Sequence, residues 1–152
     1  MKEKMTKKNT FGEFGEQFTQ FKDKPVEAIK FLMVYGREKG SGECLKALKV
    51  PQIGYVDIVW GENDKNNKGY GLKHIIEKHG KDIEALGFAV EYFIPITLMC
   101  GNLRMKEEDG KYIFVSETFR LVISRKYKGK GKQWLLTAFN ITRRPSGKTV
   151  KR

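Results

Sequence analysis

The sequence is poor in the residues that usually announce chemistry. Its 152 residues hold two cysteines, Cys44 and Cys100, and two histidines, His74 and His79. Cysteines so far apart, each in apolar surroundings, predict free buried thiols in a reducing compartment rather than a disulfide. So few soft ligands argue against a structural zinc site, and no metal and no cofactor are expected. No apolar run approaches the roughly 20 residues that span a bilayer. No hydrophobic stretch follows the basic residues between Met1 and Lys8, so no secretory signal is expected either. These absences predict a cytoplasmic chain with no membrane partner. Hydrophobic residues at 39% and aromatics at 12% fit a globular domain.

Acidic residues are also missing from one part of the chain. Up to Glu117 there are 19 basic and 18 acidic groups, whereas beyond it there are 11 basic groups and no acid, which accounts for most of the net +12. Such a segregated charge is what a polyanion-binding surface needs. A solubilising tail would explain the charges from Arg143 onward. It would not explain Arg120, Arg125, Lys126, Lys128, Lys130 and Lys132, which alternate with strand-like apolar residues. Nucleic acid is the preferred partner, and an acidic protein would satisfy the same charge.

Along the chain, Phe11, Phe14, Phe18 and Phe21 recur at three- and four-residue spacing, which predicts an apolar helix face. Pro25 suits the first turn of a second helix carrying Ala28, Ile29, Leu32 and Met33. Glu43–Leu48 reads as a short helix or turn, and Tyr55–Trp60 as a strand. A polar, flexible loop from Gly61 to Gly69 then opens onto Gly69-Tyr70-Gly71-Leu72-Lys73-His74-Ile75-Ile76-Glu77-Lys78-His79-Gly80. A helix is expected over about Leu72–His79 with Gly80 as its left-handed stop, and a further helical turn over Asp82–Val90. From Phe93 the period changes to two, giving candidate strands at Ile94–Arg104, Tyr112–Ser116, Phe119–Tyr127 and Gln133–Thr142. Helices first and strands last make an α+β chain: N-terminal helices on a four- to five-stranded, mainly antiparallel sheet. The expected division is a helical extension over 1–49, a core domain over 50–142 and a basic tail over 143–152.

Both histidines fall in one segment. Five residues apart on an α-helix is about 140°, so period alone does not put them on one face. Placed at opposite ends of a short helix they would feel opposite ends of its dipole. That favours neutral His74 and charged His79, the base and the acid of a two-histidine mechanism. A zinc protease is excluded, because His-x-x-x-x-His has neither the His-Glu-x-x-His nor the His-x-x-Glu-His spacing. A solvated helix surface and a structural histidine are the remaining alternatives. Lys68-Gly69-Tyr70-Gly71-Leu72 lacks P-loop spacing. In Phe119–Tyr127 the alternation puts Arg120, Val122, Ser124 and Lys126 on one face. Arg120 there suits a phosphate or a buried carboxylate. Thr137 is a hydroxyl among apolar neighbours, able to meet a phosphate oxygen or another strand. Trp60 and Phe139 are candidates for stacking on bases, or for core.

The order of these pieces resembles the phage-associated branch of the barnase–EndoU–colicin–RelE ribonuclease superfamily. The resemblance rests on a strand with Gly54 and Trp60, then Gly69-x-Gly71-Leu72-x-His74-Ile75-x-x-x-His79. Strands with Arg120 and Trp134-Leu135-Leu136-Thr137-Ala138-Phe139 complete it. It covers about residues 50–142. It implies a compact antiparallel sheet on N-terminal helices, and a metal-independent endoribonuclease, often a toxin. In such enzymes the ribose 2′-hydroxyl attacks the adjacent phosphodiester and leaves a 2′,3′-cyclic phosphate. The matched positions are His74, His79, Arg120 and Thr137, with Lys126, Lys128, Lys130 and Trp60 as the expected RNA contacts. RNA, with tRNA one candidate, and an antitoxin or immunity protein are the implied partners. Delivery with a phage or mobile element is the implied origin. A non-catalytic nucleic-acid- or partner-binding module is the alternative.

Overall fold

The computed structural model describes residues 10–100, without the Cys100 side chain, and 103–141. The basic N-terminal residues 1–9 and the basic tail from 143 lie outside the described residues. The elements are β1 (Phe11–Gly12), β2 (Gly15–Phe18), α1 (Pro25–Lys39), β3 (Glu43–Val50), β4 (Gly54–Val59), β5 (Glu62–Asn63) and β6 (Gly69–Tyr70). There follow α2 (Gly71–His74), a π-helical segment (Ile75–His79), α3 (Gly80–Ala85) and α4 (Val90–Cys100). The chain then enters β7 (Arg104–Glu108), β8 (Lys111–Val115), β9 (Phe119–Tyr127) and β10 (Lys130–Asn140).

The chain is α+β, and its sheet is larger than the four to five strands expected. Eight strands run in the order β1-β2-β3-β4-β10-β9-β8-β7, while β5 and β6 form a separate pair. β2 runs parallel to β3 and β10 parallel to β4, and the other neighbours are antiparallel. The larger sheet recruits segments read as helix. Phe11–Phe18 is a hairpin, because Gly12 and Gly15 (φ +110°) turn the chain where a helix would need helical dihedrals. Its phenylalanines diverge: Phe14 and Phe18 are buried in different clusters, and Phe11 is 75% exposed. Glu43–Val50 pairs with β4 despite its helix-forming Leu, Lys and Ala, since pairing and burial outweigh propensity. Residues 11–49 thus enter the same sheet and core as the rest.

The converse error occurs at Val90–Cys100, read as strand from Ile94 and found helical. Phe93, Ile94 and Thr97 are all buried, and the Thr97 hydroxyl donates to the Ile94 carbonyl at 2.8 Å. Val90, Phe93, Ile94 and Thr97 recur at i, i+3, i+4 and i+7, so the buried face has a helical period where a period of two is expected.

The main core lies between the sheet and the helices. Ile29 and Leu32 of α1, Leu72, Ile75 and Ile83 of the central helical run, and Phe93 and Ile94 of α4 meet Ile58, Phe114, Leu121, Ile123, Leu135 and Ala138. A smaller cluster of Phe14, Val59 and Trp134, with Tyr70 and Tyr127 against it, is capped by the β1–β2 hairpin. Tyr127 packs on Trp134, which stands opposite Ser124. It therefore departs from strict alternation, because the ladder shifts between Gly131 and Trp134. Cys44 is a free, buried thiol, which burial and then Glu43 and Asp57 push up to about 12.

Candidate active site

The segment carrying both histidines is positioned by close backbone contact. Gly61 (φ +76°) and Gly71 (φ +82°) bring the end of β4 against the start of α2, and a Cβ on Gly61 would collide with the Tyr70 carbonyl. The Lys73 amide donates to the Trp60 carbonyl at 2.8 Å and pins the first helical turn to the strand.

Gly80 does not stop this helix. It has right-handed dihedrals (φ −58°, ψ −42°), and the helix continues to Ala85. The expected left-handed cap is thus replaced by an insertion, the π-helical stretch Ile75–His79. A π turn bonds residues five apart, so positions i and i+5 come to lie one above the other instead of about 140° apart. The separation between His74 and His79 is therefore the one that a π turn brings together. Their ring centroids lie 5.5 Å apart with the planes at 82°. Single π turns inside α-helices recur at functional sites.

Each imidazole is held differently. His74 is 6% exposed, and its Nδ1 lies 2.8 Å from Asn63 Oδ1. Burial and then the Lys78 charge lower its pKa from the ordinary 6.5. His79 stacks on Phe139 of β10, with centroids 4.8 Å apart and planes at 19°. Its pKa falls to about 4 through burial first, then His74 and Lys78, against a smaller opposing pull from Asp82. The imidazolium expected at a helix end is therefore absent at neutral pH. His79 stands within a continuing helix, away from any terminal carbonyls.

The sheet supplies the ring on which His79 rests and the polar groups beside it. Phe139 stands directly opposite Arg120 in the β10–β9 ladder, so both project from one face with Cβ atoms about 5 Å apart. Thr137, opposite Val122, precedes Phe139 by two residues and shares that face. Arg120 Nε and Thr137 Oγ1 are buried, and neither has a hydrogen-bond partner among the described residues. Buried polar atoms are rarely left so. Two on one face, beside the ring on which His79 rests, suit an anion carrying several oxygen acceptors. His79 thus rests on the strand face that carries Arg120 and Thr137, with His74 next to it on the helix.

The expected RNA contacts lie elsewhere. Trp60 is 4% exposed and lies under α1, where a Cβ on Gly36 would overlap its indole. It has no free face for a base, and the expectation that it stacks on RNA does not fit this position. Lys126, Lys128 and Lys130 surround the β9–β10 turn, at the opposite end of those strands from Arg120 and Asn140. Six residues of strand put Lys126 about 20 Å from Arg120. Lys128 also lies 3.7 Å from Glu13. Arg125 is engaged by Glu107 at 3.0 Å and lies over the Tyr112 ring. Lys132, counted with the basic stripe, is turned inward between Glu43 and Asp57 at 2.7 and 2.6 Å. Burial alone would lower its pKa, but the hydrogen bonds to those two carboxylates outweigh it and raise it.

The Asn63–Glu77 pair was not anticipated. Its signal lay in Asn63-Asp64-Lys65-Asn66-Asn67, where asparagines and aspartate favour side-chain-closed turns. Among the described residues no three His, Cys, Asp or Glu side chains converge as metal ligands would.

A family model described as phage barnase–EndoU–colicin E5/D–RelE-like nuclease matches residues 47–145. The chain belongs to this nuclease family. The match spans β4, the histidine helix, β9 and the Thr137–Phe139 strand, so His74, His79, Arg120 and Thr137 all fall within it. No curated protein and no solved structure matches the chain.

Proposed function

We propose that this nuclease is an endoribonuclease that works without a metal ion. His74 would accept the proton of the ribose 2′-hydroxyl through Nε2, and His79 would return one to the departing 5′-oxygen. The 2′-oxygen would form a bond to phosphorus as the P–O5′ bond breaks, leaving a 2′,3′-cyclic phosphate. Arg120 would face the charge that builds on the phosphoryl oxygens, and Thr137 would donate to one of them. The observation that carries this reading is the π turn, which sets two imidazoles 5.5 Å apart beside two unpartnered buried polar atoms. Both imidazoles have lowered pKa values in the free chain. The acid role of His79 therefore draws on the phosphodiester's negative charge, which favours its protonation. Lys126, Lys128 and Lys130 would hold RNA backbone remote from the cut.

The test is cleavage of labelled RNA, with the matching DNA as control, in EDTA. Wild type should release products ending in a 2′,3′-cyclic phosphate, and His74→Ala or His79→Ala should abolish them. Cleavage that survives both substitutions, or that needs an added divalent ion, would overturn the mechanism. A toxin role, with a neutralising partner protein, predicts that expressing the chain arrests growth and that His74→Ala relieves the arrest.

A further inference from the structure

The hydrogen bonds around Asn63 settle more than the orientation of one ring. Asn63 Nδ2 lies 3.0 Å from Glu77 Oε1 and 3.1 Å from Asn67 Oδ1, while Asn63 Oδ1 lies 2.8 Å from His74 Nδ1. An ionised carboxylate can only accept, so the end of the amide facing Glu77 must be the NH₂. The end facing His74 is then the carbonyl oxygen, which can also only accept. His74 Nδ1 must therefore carry a proton, and in the neutral ring Nε2 is left as the acceptor.

The surrounding loop is built to hold this amide still. Asp64 Oδ1 accepts from the amides of Asn66 at 2.8 Å and Lys68 at 3.0 Å, and the Asp64 amide donates to the Lys68 carbonyl at 2.9 Å. Asn67 takes a left-handed conformation (φ 59°), which asparagine tolerates. Its side chain thereby comes back onto Asn63. The segment read from sequence as flexible is a closed clamp.

We infer that Glu77 and Asn63 are positioning residues that fix the tautomer of His74, so that its Nε2 is the proton acceptor of the active site. This rests on the nuclease reading for its catalytic consequence, though not for the tautomer itself. The relay also separates the two histidines. His79 has a ring to lean on, Phe139, whereas His74 has a polar chain behind it, the arrangement expected of an oriented general base.

The experiment has two readouts. Long-range proton–nitrogen correlation spectra of the imidazoles at neutral pH should show His74 protonated at Nδ1 and bare at Nε2 in the wild type. Asn63→Leu, and Glu77→Gln, whose amide can donate and so lets Asn63 turn over, should each give a mixture or the opposite tautomer. RNA cleavage should fall on the order of 10- to 100-fold in kcat with KM little changed for Asn63→Leu. Asn63→Asp alone would set two carboxylates against each other, whereas Asn63→Asp/Glu77→Gln keeps the acceptor facing His74 and a donor behind it, and should recover most of it. A wild-type His74 protonated at Nε2 alone would overturn the inference, as would a tautomer and kcat unmoved by both substitutions. Loss of cleavage by KM alone would mean that the loop binds substrate rather than orienting the ring. If the tautomer behaves as stated but the wild type cuts no RNA, the positioning stands and the nuclease mechanism falls.

Discussion

Lys132→Met should be the most damaging single change to the fold outside the main core. Lys132 Nζ sits 2.6 Å from Asp57 Oδ2 and 2.7 Å from Glu43 Oε1, and the three side chains are 17%, 15% and 0% exposed. They belong to β10, β4 and β3, close to Trp134↔Asp57, where the two halves of the sheet join. Methionine keeps most of the volume but leaves two carboxylates facing each other with no cation between them. Breaking a buried pair by removing one partner costs about 3–5 kcal/mol, chiefly from the charge left behind. Two contacts would remain, Gln17 Nε2 to Glu43 Oε2 at 3.0 Å and the Lys46 amide to Asp57 Oδ1 at 2.7 Å. With these and partial exposure of Asp57, the lower end applies, about 3 kcal/mol. At this chain length each kcal/mol shifts Tm by roughly 2–4 °C, so Tm should fall by about 6–12 °C. Urea and thermal unfolding of the wild type, Lys132→Met and Glu43→Gln/Lys132→Met would measure it. The double variant should regain part of the loss, because it removes one of the stranded charges. A single variant within about 1 kcal/mol of wild type would refute the reasoning. So would a double variant no more stable than the single.

Other outcomes follow from the proposed site residues. With His79 at about 4 and His74 lowered from 6.5, kcat/KM should be bell-shaped, with both limbs below about pH 6.5 and an optimum on the acid side of neutrality; an alkaline optimum would reject the histidine pair. The His79 value also carries a stability sign: the unfolded chain binds the extra proton below about pH 6.5, so stability should fall as pH drops from there to about 4, read by urea midpoints against His79→Gln. Thr137→Val replaces an unpartnered hydroxyl with a methyl of similar shape, so Tm should hold or rise while cleavage drops about tenfold; lost stability would mean that the hydroxyl has a structural partner. Arg120→Lys should cost about 100-fold in kcat, since an ammonium cannot match the planar two-pronged donor. Changing Lys126, Lys128 and Lys130 to Gln should weaken RNA binding, flatten its salt dependence and leave kcat nearly intact, as measured by titration at several salt concentrations.

Much of this was written locally. Pro25 and Gly40 bound α1, and alternation marks β4, β8, β9 and β10. His74, His79, Arg120 and Thr137 could be singled out from their types and order, and all four lie inside the matched family region. What local pattern could not decide was geometry that depends on distant partners. Phe11–Phe18 has a helical period but pairs as strands, since the glycines admit the turn and β3 offers an edge. Val90–Cys100 reads as strand from Ile94, but it packs as a helix that buries Val90, Phe93, Ile94 and Thr97 on one face while Tyr92 and Met99 stay exposed. Lys132 looks like its basic neighbours until β3 and β4 bring two carboxylates to it. The histidines show the division most clearly. Sequence alone determined that there are two and that five residues separate them; packing of α2 and α3 against β10 placed the π turn that brings them onto one face. Spacing is a property of the chain, whereas helical pitch at one turn is a small energy difference that tertiary contacts can tip.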